Sequence, residues 1–436
     1  MPSSDTRSDA PAVRILPVRE QDAARFLAVD QSAFFDDRQG ISDELLTAEL
    51  DWSRSFAATR DPEGAPAGEE RLCGVYSSYD MQVTAPGAAG GLARVPMSGL
   101  TWVGVHPDQR RRGVLTAMMR HHLHEVHESA EAPLSGLHAA EVGIYGRFGY
   151  GVASVETSVE LSRGATLTAP AVDDSAATVE TAYQPSDSDE AAKLRHEVRL
   201  RHDALTLGAV TRPEQVERAG MHDIPQWRRG AEPEQIMFAR REGTVTGFAV
   251  FNRKSDWTDG HPNGRVQVHE VLAVDAASLL ALGRRMLDFD LTGPVSVRGL
   301  GTGSPITWWA GGPRAVKQKS FDSLWVRLVD LDRAVAARGY AAPCDVVLEV
   351  ADDLCPWNAG RWRFTASGDG QGRLARTDDD ADLRVGMAPL GAAWLGGRTL
   401  AGQQALGLAE ELRTGAIREL SRAWQADVAP IGAIGF

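Results

Sequence analysis

Two rhythms of apolar residues run through this sequence. Over residues 72–81 apolar and small polar positions alternate, as a strand requires, and 13–18, 93–97, 100–105, 134–140 and 152–161 also read as strands. Val114, Leu115, Met118, Met119, Leu123 and Val126 instead recur at three- and four-residue spacing, which predicts a helix over 114–129 with one apolar stripe. Further helices are expected at 21–30, 43–55 and 143–148, and the Pro- and Gly-rich segments 61–70 and 86–91 read as loops. Residues 164–188, dominated by Ala, Thr, Ser, Asp and Pro, read as a linker with one strand at 177–182. A second unit follows, with a helix at 189–202, strands at 236–240, 245–253 and 266–274, and a helix at 276–289. Its strand–turn–helix order over 269–291 repeats that of 100–123, an internal duplication. From about 320 the texture changes to strands at 324–329 and 345–350, a hairpin at 357–372, and helices at 331–338, 390–395 and 401–413. The expected domains are 1–162, 163–319 and 320–436.

Composition narrows the picture. The chain has 436 residues, 43% of them hydrophobic and 24% charged, which fits a soluble globular protein of several domains. Forty-six Lys and Arg against 59 Asp and Glu leave a formal charge of −13. That balance disfavours nucleic acid and anionic membranes as partners and favours cationic ones. Cys73, Cys344 and Cys355 are too few for a disulfide framework and lack metal-ligand spacing, so no metal is expected. The polar stretch 1–12 lacks the basic and apolar regions of a secretory signal, and no apolar run reaches bilayer length. A cytoplasmic location is the expectation.

The sharpest chemical feature is the run Val103-Gly104-Val105-His106-Pro107-Asp108-Gln109-Arg110-Arg111-Arg112-Gly113-Val114-Leu115. A strand ends, an Arg-rich turn follows, and Gly113 opens a helix. Orphan N–H groups and the helix dipole favour an anion there, Gly permits close backbone approach, and Arg adds charge-assisted hydrogen bonds. A pyrophosphate suits such a turn, and the preceding strand could pair with an amide-rich arm. Three adjacent arginines can also be a solvated charge run, but this setting of strand, Gly and apolar helix argues for a ligand site. The matching turn of the second unit, Val274-Asp275-Ala276-Ala277-Ser278, has no Arg, and Asp275 would repel a pyrophosphate. The second unit is therefore expected to be a degenerate copy.

Arg110-x-x-Gly113-x-Leu115 resembles the Q/R-x-x-G-x-G/A acyl-CoA signature of the GNAT superfamily, departing at Leu115, where a small residue is common. With Gly143-Ile144-Tyr145-Gly146-Arg147-Phe148-Gly149-Tyr150-Gly151, three units in this order and a C-terminal Phe, nearly the whole chain resembles the Eis (enhanced intracellular survival) N-acetyltransferases. Ser323-Leu324-Trp325-Val326-Arg327 and Arg338-Gly339-Tyr340 extend the likeness. The resemblance implies an α+β chain of two tandem GNAT folds and a sterol-carrier-like C-terminal domain, assembled as a homohexamer. It implies acetyl-CoA as donor, contacted by Val103, Gly104, Val105, Arg111, Arg112, Gly113, Val114, Leu115, Thr116, Ala140 and Glu141. It also implies Tyr145 as general acid and the free carboxylate of Phe436 as general base. A phenol can protonate a departing thiolate, and burial of the apolar tail would raise the pKa of its carboxylate.

The acceptor side is less defined. Phe34, Phe35, Asp36 and Trp102 are the expected lining, Asp36 drawing in an ammonium group, with Asp37 an equal candidate and both open to a reading as surface charges. Gly435 stands where a penultimate acidic residue would help a cationic substrate. Tyr145 can also be read as a core aromatic and the C-terminus as a docked tail. His121, His122, His124 and His127 are expected on a solvated helix face, because their spacing is not His-Glu-x-x-His. The Trp residues at 308, 309, 325, 357 and 362 are expected in cores or interfaces. The preferred reading is acetyl transfer to primary amines of cationic small molecules such as aminoglycosides. Lysine acetylation of proteins and non-catalytic acyl-CoA or lipid binding are the alternatives.

Overall fold

The computed structural model describes residues 12–35, 38, 40–61, 70–432 and 435–436. Among them three sheets carry most of the strands, of eight, seven and five members. The first is built from β1 (Arg14–Pro17), β2 (Ser55–Thr59), β3 (Leu72–Pro86), β4 (Leu92–Val105), β5 (Leu134–His138) and β6 (Gly151–Val152). The strand Leu324–Leu328 lies between β5 and β6, and Val210–Thr211 pairs with β3. Helices α1 (Ala23–Phe34), α2 (Asp43–Leu46), α3 (Val114–Ser129) and α4 (Val142–Tyr145) complete this part. The stripe of α3 is buried through Val114, Met118, Met119, Leu123 and Val126, as its periodicity predicts. The helix expected over 43–55 stops at Leu46. Thr47 Oγ1 donates to the Asp43 carbonyl, and Asp51 accepts from the Ser53 N–H, so short polar side chains turn the chain there.

The units interlock. The strand β7 (Val155–Leu161), read from the sequence as closing the first unit, instead sits in the seven-stranded sheet between Lys317–Asp322 and Thr292–Gly301. In exchange Leu324–Leu328, assigned from the sequence to the third unit, pairs antiparallel with β5, Leu324 facing His138. The two segments cross where the N–H groups of Ala153 and Ser154 both reach the Leu324 carbonyl, at 2.9 and 3.2 Å. Packing decides the exchange. Val159 and Leu161 enter the second core, whereas Leu324, Val326 and Leu328 join one core shared by the first and third units. The remaining strands of the seven-stranded sheet are Gly264–Ala273, Thr244–Lys254, Gln235–Arg241 and Ala177–Thr181.

The five-stranded sheet runs Gly372–Arg376, Gly360–Ala366, Cys344–Ala351, Leu383–Gly386, Ala409–Glu411. The helix expected over 401–413 is Leu400–Ala405 followed by that last short strand, with Gly407 in the left-handed region between them. The strand Thr292–Gly301 and the helix Ala416–Trp424 were not anticipated. The fold is α+β, as expected. No helix among the described residues is long and apolar enough to cross a membrane.

Candidate active site

The site begins where two parallel strands part. β4 and β5 pair only through Met97–Leu134, Ser98–Ser135 and Gly99–Gly136. Beyond Gly99 their pairing stops and they splay, while β5 stays paired with Leu324–Leu328 on its other edge as far as His138. Opposite β3 the register slips so that Tyr76 alone faces both Trp102 and Val103, a β-bulge, and Trp102 takes φ +54°. One edge of 100–105 thus has no strand partner among the described residues.

The turn that follows is shaped for an anion. Arg111 (φ +61°) and Gly113 (φ +80°) are both left-handed, and Gly113 is the N-cap of α3 without supplying any side-chain cap. The first-turn N–H groups of a 16-residue helix are therefore left for a ligand. A side chain at Gly113 would meet nothing within 4 Å, so its requirement there is the positive φ and not a lack of space.

The splay and the turn open into one cavity of about 600 Å³. Of the residues expected to contact a donor, Val103, Gly104, Val105, Arg111, Gly113, Val114, Leu115, Thr116, Ala140 and Glu141 all line it. Arg112 is exposed and outside the lining, while Arg110 and Gln109 lie within it. Tyr145 lines the far side. Its ring is buried edge-to-face on Tyr150, with centroids 6.0 Å apart, and its hydroxyl has no hydrogen-bond partner among the described residues. Burial first, and the Glu141 carboxylate second, push the phenol up to about 12. Tyr150 is held by Ser135, whose hydroxyl also meets His122 Nε2, each contact 2.8 Å.

Phe436 lies at the vertex of the splay, outside that lining. Its ring stands edge-on to His138 at 5.0 Å, and a Cβ on Gly99 would come within 2.9 Å of it. Phe34 lines the donor cavity. Trp102 belongs to a neighbouring group, packing on Phe26, donating its indole N–H to Glu49 at 2.9 Å, and lying under the Arg38 guanidinium. Asp36 and Asp37 lie outside the described residues. Sequence reasoning missed Glu49, whose carboxyl is raised by burial against the lowering pull of the Trp102 N–H and Arg212. It assigned no role to Arg327, fully buried, which donates to the Phe148 carbonyl and pairs with Asp352. Arg327 thereby holds the turn that carries Tyr145.

The four histidines do not form a solvated face. His122 is buried, His121 Nδ1 meets Tyr76 Oη at 2.7 Å, His124 reaches the Leu354 carbonyl, and His127 stacks 3.8 Å above Trp357. The docked third unit supplies the partners of His124 and His127, which no local sequence window contains. In the second unit the turn is closed by its own side chain: Asp275 caps the following helix, accepting from Ser278 N–H at 2.8 Å.

Comparison with known proteins agrees with this fold. Acetyltransferase (GNAT) domain models match residues 14–153 and 208–338, and a sterol carrier protein domain model matches 331–432. An uncharacterized N-acetyltransferase of Streptomyces coelicolor is 41% identical over 367 residues, covering 83% of this chain and 86% of the relative. The N-acetyltransferase Eis of Mycobacterium tuberculosis is 28% identical over 376 residues, covering 84% and 86%. The crystal structure of Eis1 from Mycobacterium abscessus superposes with a TM-score of 0.78 at 27% identity, covering 98% of this chain and all of that one.

Proposed function

The chain belongs to the Eis-family GNAT N-acetyltransferases, enzymes whose acyl donor is acetyl-CoA, and we propose that it acetylates primary amines of cationic small molecules such as aminoglycosides. In this reading Tyr145 is the general acid and the Phe436 carboxylate the general base. The carrying observation is that Tyr145, its ring buried and its hydroxyl free of any hydrogen bond among the described residues, shares one cavity with an uncapped helix N-terminus and an Arg-rich turn.

The residues present fit the donor. The α3 N–H groups with Arg110 and Arg111 suit its pyrophosphate, and the unpaired edge of 100–105 suits the amides of its pantetheine arm. A backbone N–H in the bulged segment can polarise the thioester carbonyl. The amine nitrogen attacks that carbonyl carbon and the C–S bond breaks. The nitrogen's proton passes to the Phe436 carboxylate, and Tyr145 Oη gives its proton to the sulfur. Both groups are restored through solvent. Burial disfavours a thiolate for the same reason that it disfavours the phenolate, so a sulfur beside Tyr145 remains a competent proton acceptor. The acidic surface, at −13, favours a polycationic acceptor. A homohexamer is proposed as the assembly, to be read as a sedimentation mass six times that of the chain.

The test is thiol release from acetyl-CoA against polyamines, aminoglycosides and lysine peptides. Turnover should be greatest on the polycationic small amines. Turnover confined to lysine peptides would overturn the acceptor class, and none on any amine would overturn the reaction.

A further inference from the structure

The second unit repeats the strand splay of the first unit's cleft without its Arg-rich turn. Its strand Gly264–Ala273 pairs in parallel with Thr292–Gly301 only as far as Val268–Val297, and the two then part, as β4 and β5 do. The gap beyond is lined by Val271, Leu272 and Ala273 on one side and Gly299, Leu300 and Gly301 on the other. About 110 Å³ remains free in it, against about 600 Å³ in the first unit. Part of the gap has an identifiable filler. Ile431 of the C-terminal tail lines the gap, and a Cβ on Gly301 would come within 2.6 Å of its side chain.

The tail is held on both sides of that residue. Ile431 N–H donates to the Leu207 carbonyl at 2.7 Å, and a Cβ on Gly208 would press on the same N atom. Ser323 Oγ donates to the Gly432 carbonyl, and Gly432 lies against Ser154 and Leu324, where the two sheets exchange strands. Five residues after Ile431 the chain ends at Phe436, on His138 and Gly99 of the first unit. An extended span of that length reaches at most ~17 Å. Fixing Ile431 therefore fixes the region the terminal carboxylate can occupy.

We propose that the second unit's cleft, which stands where a donor site would be, has become the socket of the C-terminal tail. Ile431 is its plug and a positioning residue for the Phe436 carboxylate. This rests on the reading of that carboxylate as the general base. The capped helix start at Asp275 fits the assignment, since a cleft closed to pyrophosphate is free to take an apolar side chain.

Ile431→Ala keeps the chain length, the terminal carboxylate and the whole donor cavity. It should lower kcat on the order of 10- to 100-fold, the scale set by a misplaced reacting group. Acetyl-CoA Kd and Tm should stay near wild type, carboxypeptidase should release Phe436 faster, and Ile431→Val should restore most of kcat. Ser323→Ala, which loosens the tail from the other side, is the second variant and should act in the same direction. A third protein carries three residues fused after Phe436. Wild-type kcat in both Ile431→Ala and Ser323→Ala, with the extended protein inactive, would overturn the socket and leave the general base standing. Full activity of the extended protein would instead overturn the base, and the socket's purpose with it.

Discussion

At the scale of single residues, burial decides what each titratable group can do. Tyr145 is pushed up to about 12, so it stays protonated throughout the neutral range and can only donate. His122 moves the opposite way, to about 3, because burial among Ser135 and the α3 core disfavours its cation. Its folded value lies below the ordinary 6.5, so between those limits the unfolded chain binds the extra proton. The stability linked to neutral His122 is complete above pH 6.5 and is lost as pH falls toward 3, with a slope of up to ~1.4 kcal/mol per pH unit. His122→Gln, which can still meet Ser135, should give a shallower fall of Tm from pH 6.5 to 4.5 than wild type. Equal slopes in the two proteins would show that His122 is not the titrating group. The fate of His122 was not legible in the sequence. Its partner Ser135 lies 13 positions away on β5, so the helix seen alone presents only polar side chains there.

Among elements, legibility followed locality. The helix over Val114–Ser129 and the strand that begins at Leu72 are set by their own periodicity, and each starts where the sequence places it. The helix Ala416–Trp424 has nine residues, shorter than the windows in which a helical stripe stands out, although Ile417, Leu420 and Trp424 form one. Strand pairing was not legible. Leu324–Leu328 and β7 both read as ordinary strands, and nothing within either indicates that they exchange sheets. The anion turn was legible because its parts are contiguous, from the end of β4 through Arg110 and Arg111 to Gly113. The contrast with the second unit was legible too, and the structure adds its mechanism: Asp275 is an internal cap that satisfies its helix without a ligand. Glu49 carried no signal, since a single Glu in a polar helix-to-loop stretch gives no sign that Trp102 will donate to it.

For the whole molecule the consequence is that the first unit's sheet and site are completed from elsewhere in the chain. The first sheet needs Leu324–Leu328, the turn bearing Tyr145 needs Arg327, and Phe436 arrives from the far end of the chain. Arg327 is itself neutralised by Asp352 in the third unit, with both side chains almost fully buried. Removing one partner of such a pair costs ~3–5 kcal/mol, enough to unfold a marginal domain. A fragment of residues 1–162 lacks both partners and also the Leu324–Leu328 strand that joins β5 to β6, so it should show no cooperative unfolding transition and no acetyl-CoA binding by calorimetry. A folded fragment that binds acetyl-CoA would mean that the interlock is dispensable. The central claim, that Tyr145 gives the proton to the leaving thiolate inside the donor cavity, is tested most directly by Tyr145→Phe, which keeps the ring against Tyr150. With saturating acetyl-CoA and an aminoglycoside acceptor, kcat for thiol release should fall by about 10²- to 10⁴-fold while acetyl-CoA Kd stays within about twofold of wild type. Unchanged kcat in that variant would contradict the account.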